Sequence, residues 1–187
     1  LHHHAYFFDQ ASQSLYIFGG YGNYQYSNLT YQYDFDHGAW KEIQFTGDVI
    51  YPRMHTVAGK GPVEGSFFVF GGVGNETGKQ ELGKDFFCDL YLFDTSKHIV
   101  KKLWSRAFPD NYFIPTRGLV FDSKKECIYL LCIDRKTTNA SLHRFDVKTG
   151  EHAIVSNEIV FQTNCILSTA YLFNNPKDNE LYAIIRY

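Results

Sequence analysis

The amino-acid sequence predicts an all-β fold made of repeated four-stranded antiparallel units. Aromatic residues make up 18% of the 187 residues, and they suit the half-buried faces of strands. A short apolar segment recurs along the chain about every 50 to 60 residues. A second segment, in which an aromatic residue precedes an acid, recurs in step with the first. Two kinds of strand that share one period indicate a repeat architecture.

The apolar segment gives the clearest repeat. Residues 15–20 (LYIFGG) recur 52 residues later as residues 67–72 (FFVFGG), and weaker copies lie at residues 128–133 and 181–186. Each copy is an apolar run bounded by polar residues, which is typical of a strand buried on both faces. We therefore expect one such strand in each of four units.

A second strand follows at a matching interval. It lies at residues 30–35 (TYQYDF), 90–95 (LYLFDT) and 142–147 (LHRFDV). Its offsets are 60 and 52 residues, whereas those of the apolar segment are 52 and 61. One insertion of about nine residues in the second unit, within residues 73–89, explains both pairs of offsets.

Two further strands complete each unit. One precedes the apolar segment, at residues 4–8, 55–58, 118–121 and 169–173. The other follows the acid, at residues 39–43, 99–104 and 151–155. Turn sequences that contain glycine, such as residues 36–38 and 148–150, connect the strands.

Four short antiparallel strands per unit are the arrangement of a β-propeller blade. The sequence thus predicts one domain, residues 1–187, that forms a partial β-propeller of about three and a half four-stranded blades. The predicted units lie at about residues 1–48, 49–110, 111–162 and 163–187, and the last is incomplete. An open propeller leaves strand edges exposed, so self-association through such an edge is a further expectation.

The repeat resembles the kelch motif. The residues that carry the resemblance are two glycine pairs and two tryptophans downstream of them: Gly19, Gly20, Gly71, Gly72, Trp40 and Trp104. In the third and fourth units, residues 132–133 and 185–186 replace the glycine pair. The resemblance implies a β-propeller with one blade per repeat, which acts as an interaction platform beside other domains.

These motif residues have predicted structural roles. The glycine pairs mark places where blade backbones pack closely, since no helical period follows them as it would follow a phosphate-binding loop. The two tryptophans are expected to pack between neighbouring blades.

Composition and motifs also exclude several partners. A net charge of −2 and a pI near 6.5 leave no basic footprint for nucleic acid. No segment approaches the ~18 apolar residues of a membrane helix, so we expect no membrane insertion. The histidine run at residues 2–4 has no second ligand cluster. We therefore expect neither a metal nor a cofactor.

Two groups of residues are candidates for ligand binding. Arg53, His55 and Arg117 precede or begin innermost strands and are predicted to project toward the mouth of the central channel. There the two guanidinium groups could engage carboxylates of a ligand. The alternative is that the arginines form structural salt bridges to a neighbouring blade.

The second group lies in the loops that follow the glycine strands. Tyr24 and Tyr26 belong to a loop rich in tyrosine and amide side chains, a composition suited to protein and glycan contacts. Asn75 lies in the longer loop of the second unit. Loops of that length are often functional.

We expect a propeller module that binds a protein, a small molecule or a glycan and is part of a larger protein with a sensor or scaffold role. The alternative is a galactose-oxidase-like or other carbohydrate-processing enzyme, which the kelch resemblance raises because galactose oxidase is built on a kelch propeller. A third possibility is a spacer that holds other domains apart.

Overall fold

The computed structural model describes residues 2–107, 113–134, 139–156, 159–160, 170–175, 177–178 and 180–185. This part of the chain is built of β-strands, and its one helical segment is a 3₁₀ turn at Gln80–Leu82. It contains no helix that is both long and apolar enough to cross a membrane. The predicted all-β class is therefore confirmed.

Sheet 1 is the first blade. Its four antiparallel strands follow one another in chain order: β1 (Ala5–Asp9), β2 (Ser14–Gly22), β3 (Gln25–Asp34) and β4 (Ala39–Ile43).

Sheet 2 contains the second apolar segment. Its strands are β5 (Thr46–Gly47), β6 (Arg53–Met54), β7 (Val57–Lys60), β8 (Ser66–Gly74), β9 (Asp85–Asp94) and β10 (Ile99–Ser105). β6 and β7 both pair with β8 and together form the inner strand. β5 pairs in parallel with the outer strand β10, so two residues that the sequence assigns to the first unit complete the second sheet.

Sheet 3 continues the series. Four antiparallel strands form the third blade: β11 (Phe113–Asp122), β12 (Cys127–Asp134), β13 (Ala140–Asp146) and β14 (His152–Ile154). The pair β15 (Ala170–Asn175) and β16 (Glu180–Ile185) joins β11 through one parallel bridge, Arg117 to Tyr171. The rest of the predicted fourth unit, residues 163–169, 176, 179 and 186–187, lies outside the described residues.

The blades follow one another around an inner row of strands. β7 contacts both β1 and β11, and β11 contacts β15. Apolar clusters fill the space between successive sheets, such as the stack of Phe7 on Phe67 at 4.1 Å between ring centroids. The sheets formed by the described residues do not close into a ring. The architecture is that of an open, partial propeller.

The recurring acid is explained by the turn that follows it. The carboxylates of the three recurring acids, Asp34, Asp94 and Asp146, each accept backbone N–H groups two and three residues ahead. Asp122, at the end of β11, holds its turn in the same way. Such side-chain bonds hold a turn between two strands. Hydrogen bonds to the charged form lower the pKa of Asp34, Asp94 and Asp146.

The two glycine pairs lie at close backbone approaches, between sheets 1 and 2 at Gly19 and within sheet 2 at Gly72. Both pairs have positive φ, and each interrupts the ladder between the second and third strands with a register shift. A Cβ on Gly19 would lie 2.8 Å from the Arg53 carbonyl oxygen of the next sheet. A Cβ on Gly72 would lie 2.8 Å from the Met54 carbonyl oxygen. Only glycine fits these positions.

The two tryptophans differ from each other. Trp104 is buried between sheets 2 and 3, and its indole N–H donates to the Val147 carbonyl at 3.0 Å. Trp40 is 48% exposed, and its ring contact is with Tyr33 of its own sheet. The side of sheet 1 that carries Trp40 faces away from sheet 2, so no blade among the described residues covers it. Its packing between blades therefore stays a prediction.

Candidate functional site at the channel mouth

Arg53 is a framework residue rather than a surface group. Its side chain has no exposed surface, although β6 places it next to the channel mouth. One guanidinium nitrogen lies 2.6 Å from the Asp89 carboxylate and 3.2 Å from the Gly71 carbonyl oxygen. The Phe87 ring covers the guanidinium at 4.0 Å. The structure thus shows a buried salt bridge, within one sheet rather than to a neighbouring blade as the alternative had it.

The other two candidates of this group lie at the mouth itself. The His55 backbone N–H donates to the His3 carbonyl at 2.9 Å, and the two imidazole rings are 4.2 Å apart between centroids. Both residues have a positive φ, near +57°, a conformation that non-glycine residues seldom adopt and that occurs at functional sites. The residues that precede the first and second inner strands, His3 and His55, are therefore in contact.

Arg117 lies on the third inner strand, β11, and contacts Tyr171 of the fourth, β15. Its guanidinium donates to the Tyr171 hydroxyl at 3.3 Å and lies 5.6 Å from the centre of that ring. Arg117 takes part in none of the salt bridges found among the described residues. Its guanidinium is therefore not neutralised by a carboxylate there.

The electrostatics of the mouth are positive. Burial is the largest cause, and repulsion from a protonated His3 and the positive charges of Arg117 and Lys84 add to it, so that together they lower the pKa of His55 to about 4. Burial also lowers the pKa of His3, and His2 and Arg117 add to this effect. Both imidazoles are consequently neutral at pH 7. The permanent charges acting on them there are those of Arg117 and Lys84.

The predicted loops of the first and second units are joined. The Tyr26 N–H donates to the Gly78 carbonyl at 2.7 Å, and the Gln80 N–H donates to the Tyr24 carbonyl at 3.2 Å. The Tyr21 hydroxyl also donates to the Gln80 side-chain oxygen. These bonds fix the long loop of the second unit against the tight turn of the first.

Tyr24 and Tyr26 themselves have different environments. Tyr24 is 80% exposed at the tip of the turn, where a partner can reach its ring. Tyr26 is 7% exposed and packs beside Tyr21, with 5.6 Å between ring centroids. Burial raises the pKa of Tyr26. Tyr26 is therefore a largely buried residue of the site's wall, and it offers little surface to a partner.

Asn75 organises the long loop. Its side-chain amide donates to the carbonyls of Lys79 and Gly83, both at 2.7 Å. Its side-chain oxygen accepts from the backbone N–H and the hydroxyl of Thr77. Asn75 is 7% exposed, so its polar atoms are used inside the loop and not offered to a ligand.

Two grooves meet at this side of the molecule. The mouth groove has a volume of about 450 Å³ and is lined by His3, Tyr21, Tyr26, His55, Gln80 and Lys84, among others. The loop groove, of about 820 Å³, runs along sheet 1 and includes Tyr21, Gln25, Tyr26, Leu29, Tyr31 and Lys79. Tyr21 and Tyr26 line both grooves, so the two form one continuous surface.

Sequence reasoning missed several residues of this surface. His3 and Tyr171 lie one or two positions from the predicted starts of inner strands, and the repeat alignment could have indicated them. Tyr21 and Gln80 meet only because two loops distant in sequence are joined, which no local pattern shows. Among the described residues, no three His, Cys, Asp or Glu side chains are grouped so that they could hold a metal ion.

Comparison with known proteins agrees with the architecture. No curated protein matches the chain. The profile of the KLHDC2/KLHL20/DRC7 Kelch-repeats domain matches residues 1–175. Kelch domains generally bind proteins, which fits an open surface with a positive mouth. The chain belongs to the kelch-repeat family described by that domain.

Proposed function

We propose that the chain is a protein-binding module whose mouth groove takes an extended peptide segment that carries a carboxylate. The observation that carries this proposal is the position of Arg117. Its positive charge lowers the pKa of both mouth histidines, and it has no acidic partner among the described residues, although it does not itself line the mouth groove. A guanidinium without a carboxylate partner is suited to a ligand carboxylate, because its fork of N–H donors matches the two oxygens.

The surroundings of Arg117 support an anionic ligand. The positive charges of Arg117 and Lys84 both lower the pKa of His55. None of the described residues that line the two grooves is acidic. A peptide carboxylate at the mouth would therefore gain attraction without displacing an existing ion pair.

The walls support an extended segment rather than a small ion. The mouth groove continues into the loop groove across Tyr21 and Tyr26. Tyrosine supplies a large, stiff contact surface with a polar tip, which is favoured at protein interfaces. The loops that form these walls are fixed by backbone bonds, so little ordering is needed on binding.

The experiment is selection of peptides from a random display library on the immobilised chain, followed by fluorescence polarisation with a labelled selected peptide. We expect the selected peptides to be enriched in acidic residues or to depend on a free carboxyl terminus. Arg117→Ala should weaken binding by roughly tenfold or more, the loss typical of one charge-assisted contact. The matched control is Arg144→Ala, since Arg144 is exposed on β13 away from the mouth. Equal affinity of both variants would refute the proposal.

Within a longer protein such a module would serve as a scaffold or sensor, as proposed from the sequence. A glycan ligand rests only on the tyrosine and amide content of the first loop, and a labelled oligosaccharide in the same polarisation assay tests it. A galactose-oxidase-like enzyme has no supporting observation in the described residues, so we do not propose it.

A further inference from the structure

A hydrogen-bonded pair of histidines lies inside sheet 3, and neither of them lines the mouth groove. His143 of β13 is 3% exposed, and its ring nitrogen Nδ1 lies 2.9 Å from Nε2 of His152 on the neighbouring strand β14. Its other ring nitrogen, Nε2, lies 2.9 Å from the Ser141 hydroxyl oxygen. Both nitrogens of the buried ring therefore have hydrogen-bond partners within the blade.

This pair can hold one extra proton but not two. A hydrogen bond between two imidazole nitrogens needs a proton on one of them and a bare nitrogen on the other. The neutral pair meets this condition. A pair in which His152 is the cation meets it too, because its Nε2–H donates to the bare Nδ1 of His143, whose Nε2–H then donates to Ser141. A second proton would place two N–H groups against each other across the same 2.9 Å, so the bond would break.

The surroundings of His143 disfavour its charged form. Phe113 of β11 lies over its ring, with 4.6 Å between centroids, and Leu130 of β12 pairs with it in the sheet. Burial is the largest cause that lowers the pKa of His143 to about 4, and repulsion from a protonated His152 adds to it. The thiol of Cys132, also on β12, stays neutral because burial raises its pKa. Among the described residues, His152 is thus the one charge that lowers the pKa of His143.

His152 takes the first proton more easily. Its ring is less buried than that of His143, and it stacks on the Phe145 ring with 4.7 Å between centroids. An aromatic face attracts a cation placed over it. Burial lowers the pKa of His152 as well, and Arg144, which points to the opposite face of β13, contributes to neither pKa. The expected order of protonation is therefore His152 and then His143.

We propose that His143 and His152 form a proton-sensitive joint in the third blade. With at most one extra proton on the pair, the joint holds Phe113, the first residue of β11, against sheet 3. With two extra protons it opens and releases that residue. β11 also carries Arg117, so the joint lies at the start of the inner strand that supplies charge to the mouth. The joint does not depend on peptide binding, because its opening is measured on the chain alone.

The joint should make the stability of the fold depend on pH. The pKa of His143 in the folded chain lies below its ordinary value of 6.5, so its stabilisation is complete above pH 6.5 and is lost as the pH falls toward 4. Between pH 7 and pH 5 the unfolding equilibrium constant should rise roughly tenfold more in the native chain than in a chain without the two imidazoles. Urea denaturation at both pH values measures this difference.

The test variant is the double substitution His143→Tyr with His152→Val. The repeat supplies these replacements, since Tyr91 and Val100 occupy the matching positions of sheet 2, 52 residues earlier. The control is His37→Leu, because the His37 side chain is 80% exposed in a turn of sheet 1. The control should keep the native pH dependence and the double variant should lose most of it. Equal pH dependence of the native chain and the double variant would overturn the proposal.

The native chain alone gives a second measurement, which holds even where the double variant does not fold. Histidine ring NMR titration should show that His152 takes up its proton at a higher pH than His143. Hydrogen exchange should show that the backbone N–H groups at the start of β11 lose protection as His143 is protonated. Those of β7, which pairs with β8 in sheet 2, should keep theirs. Protonation of His143 before His152, or equal loss of protection in β11 and β7, would contradict the joint.

Discussion

Two arginines next to the inner strands have opposite environments. Arg53 has no exposed surface and forms a 2.6 Å ion pair with Asp89. Arg117 is partly exposed, contacts the Tyr171 hydroxyl, and has no carboxylate partner among the described residues. The first holds sheet 2 together, whereas the second supplies charge to the channel mouth. The same residue type thus serves the framework in one blade and the candidate site in the next.

The two arginines also occupy different positions in their blades. Arg53 pairs with Gly74 of β8, whereas Arg117 lies at the register shift between Pro115 and Leu119 of β11. Asp89, which precedes Leu90 in β9, supplies the carboxylate that Arg53 binds. At the matching position of β13, 52 residues later, Ser141 carries no charge, and its hydroxyl hydrogen-bonds to the His143 ring at 2.9 Å.

Among the substitutions that test the contrast between Arg53 and Arg117, Arg53→Met should lower the free energy of unfolding the most. The substitution keeps much of the volume beside Phe87 but leaves the Asp89 carboxylate buried and unpaired. Breaking a buried ion pair costs about 3–5 kcal/mol, so the free energy of unfolding should fall by that amount in urea denaturation.

Two controls sharpen this measurement. Arg144→Met removes an exposed arginine and should change the free energy of unfolding by less than about 1 kcal/mol. The double variant Arg53→Met with Asp89→Leu should recover much of the loss, since it leaves no buried charge. If Arg53→Met is as mild as Arg144→Met, the structural role of Arg53 is wrong.

A smaller effect is expected for Gly72→Ala, beside Arg53. Its φ is +117°, and an added Cβ would lie 2.8 Å from the Met54 carbonyl and 3.4 Å from the Arg53 side chain. Strain and close contact together should cost about 2–3 kcal/mol of unfolding free energy. Gly83→Ala is the control at the mouth groove, where φ is +89° but no atom lies within 4 Å of the added Cβ. It should cost about 1–2 kcal/mol, from backbone strain alone. If both variants lost the same free energy of unfolding, the space beside Gly72 would accommodate a methyl group.

Much of the fold could be predicted because the strand period survives sequence divergence. The apolar segments became β2, β8, β12 and β16, and the acid positions became turn-forming carboxylates. The face of the sheet on which Trp40 lies could not be predicted in the same way. The sequence treats it as equivalent to Trp104, but Trp40 pairs with Tyr33 whereas Trp104 pairs with Leu90 at a bulge. Register, which decides the face of a side chain, is not set by spacing alone.

The candidate site was less predictable than the fold. His55 and Arg117 are predicted from their positions before or within inner strands; His55 lines the mouth groove, and the charge of Arg117 lowers its pKa. Arg53 and Asn75 were recognised by the same logic, yet their polar atoms are bound inside the structure. A sequence shows which polar groups are present. Which of them find partners depends on contacts between strands and loops far apart in the chain.

The smallest expected effect on stability is that of Arg117→Ala, the counterpart of Arg53→Met. Because Arg117 is partly exposed and makes no ion pair in the described residues, its loss should change the free energy of unfolding by less than about 1 kcal/mol. A subtler change should appear in the mouth. The positive charge of Arg117 helps to hold down the pKa of His3 and His55, so its removal should raise both pKa values toward 6.5.

Histidine ring NMR titration measures this change, with Arg144→Ala as the control. His143 is the internal reference, because burial and His152, and not Arg117, lower its pKa to about 4. A rise for His3 and His55 with no change for His143 would place the Arg117 charge at the channel mouth. Unchanged mouth histidines would mean that the guanidinium is oriented away from them, and the contrast with Arg53 would then be one of burial alone.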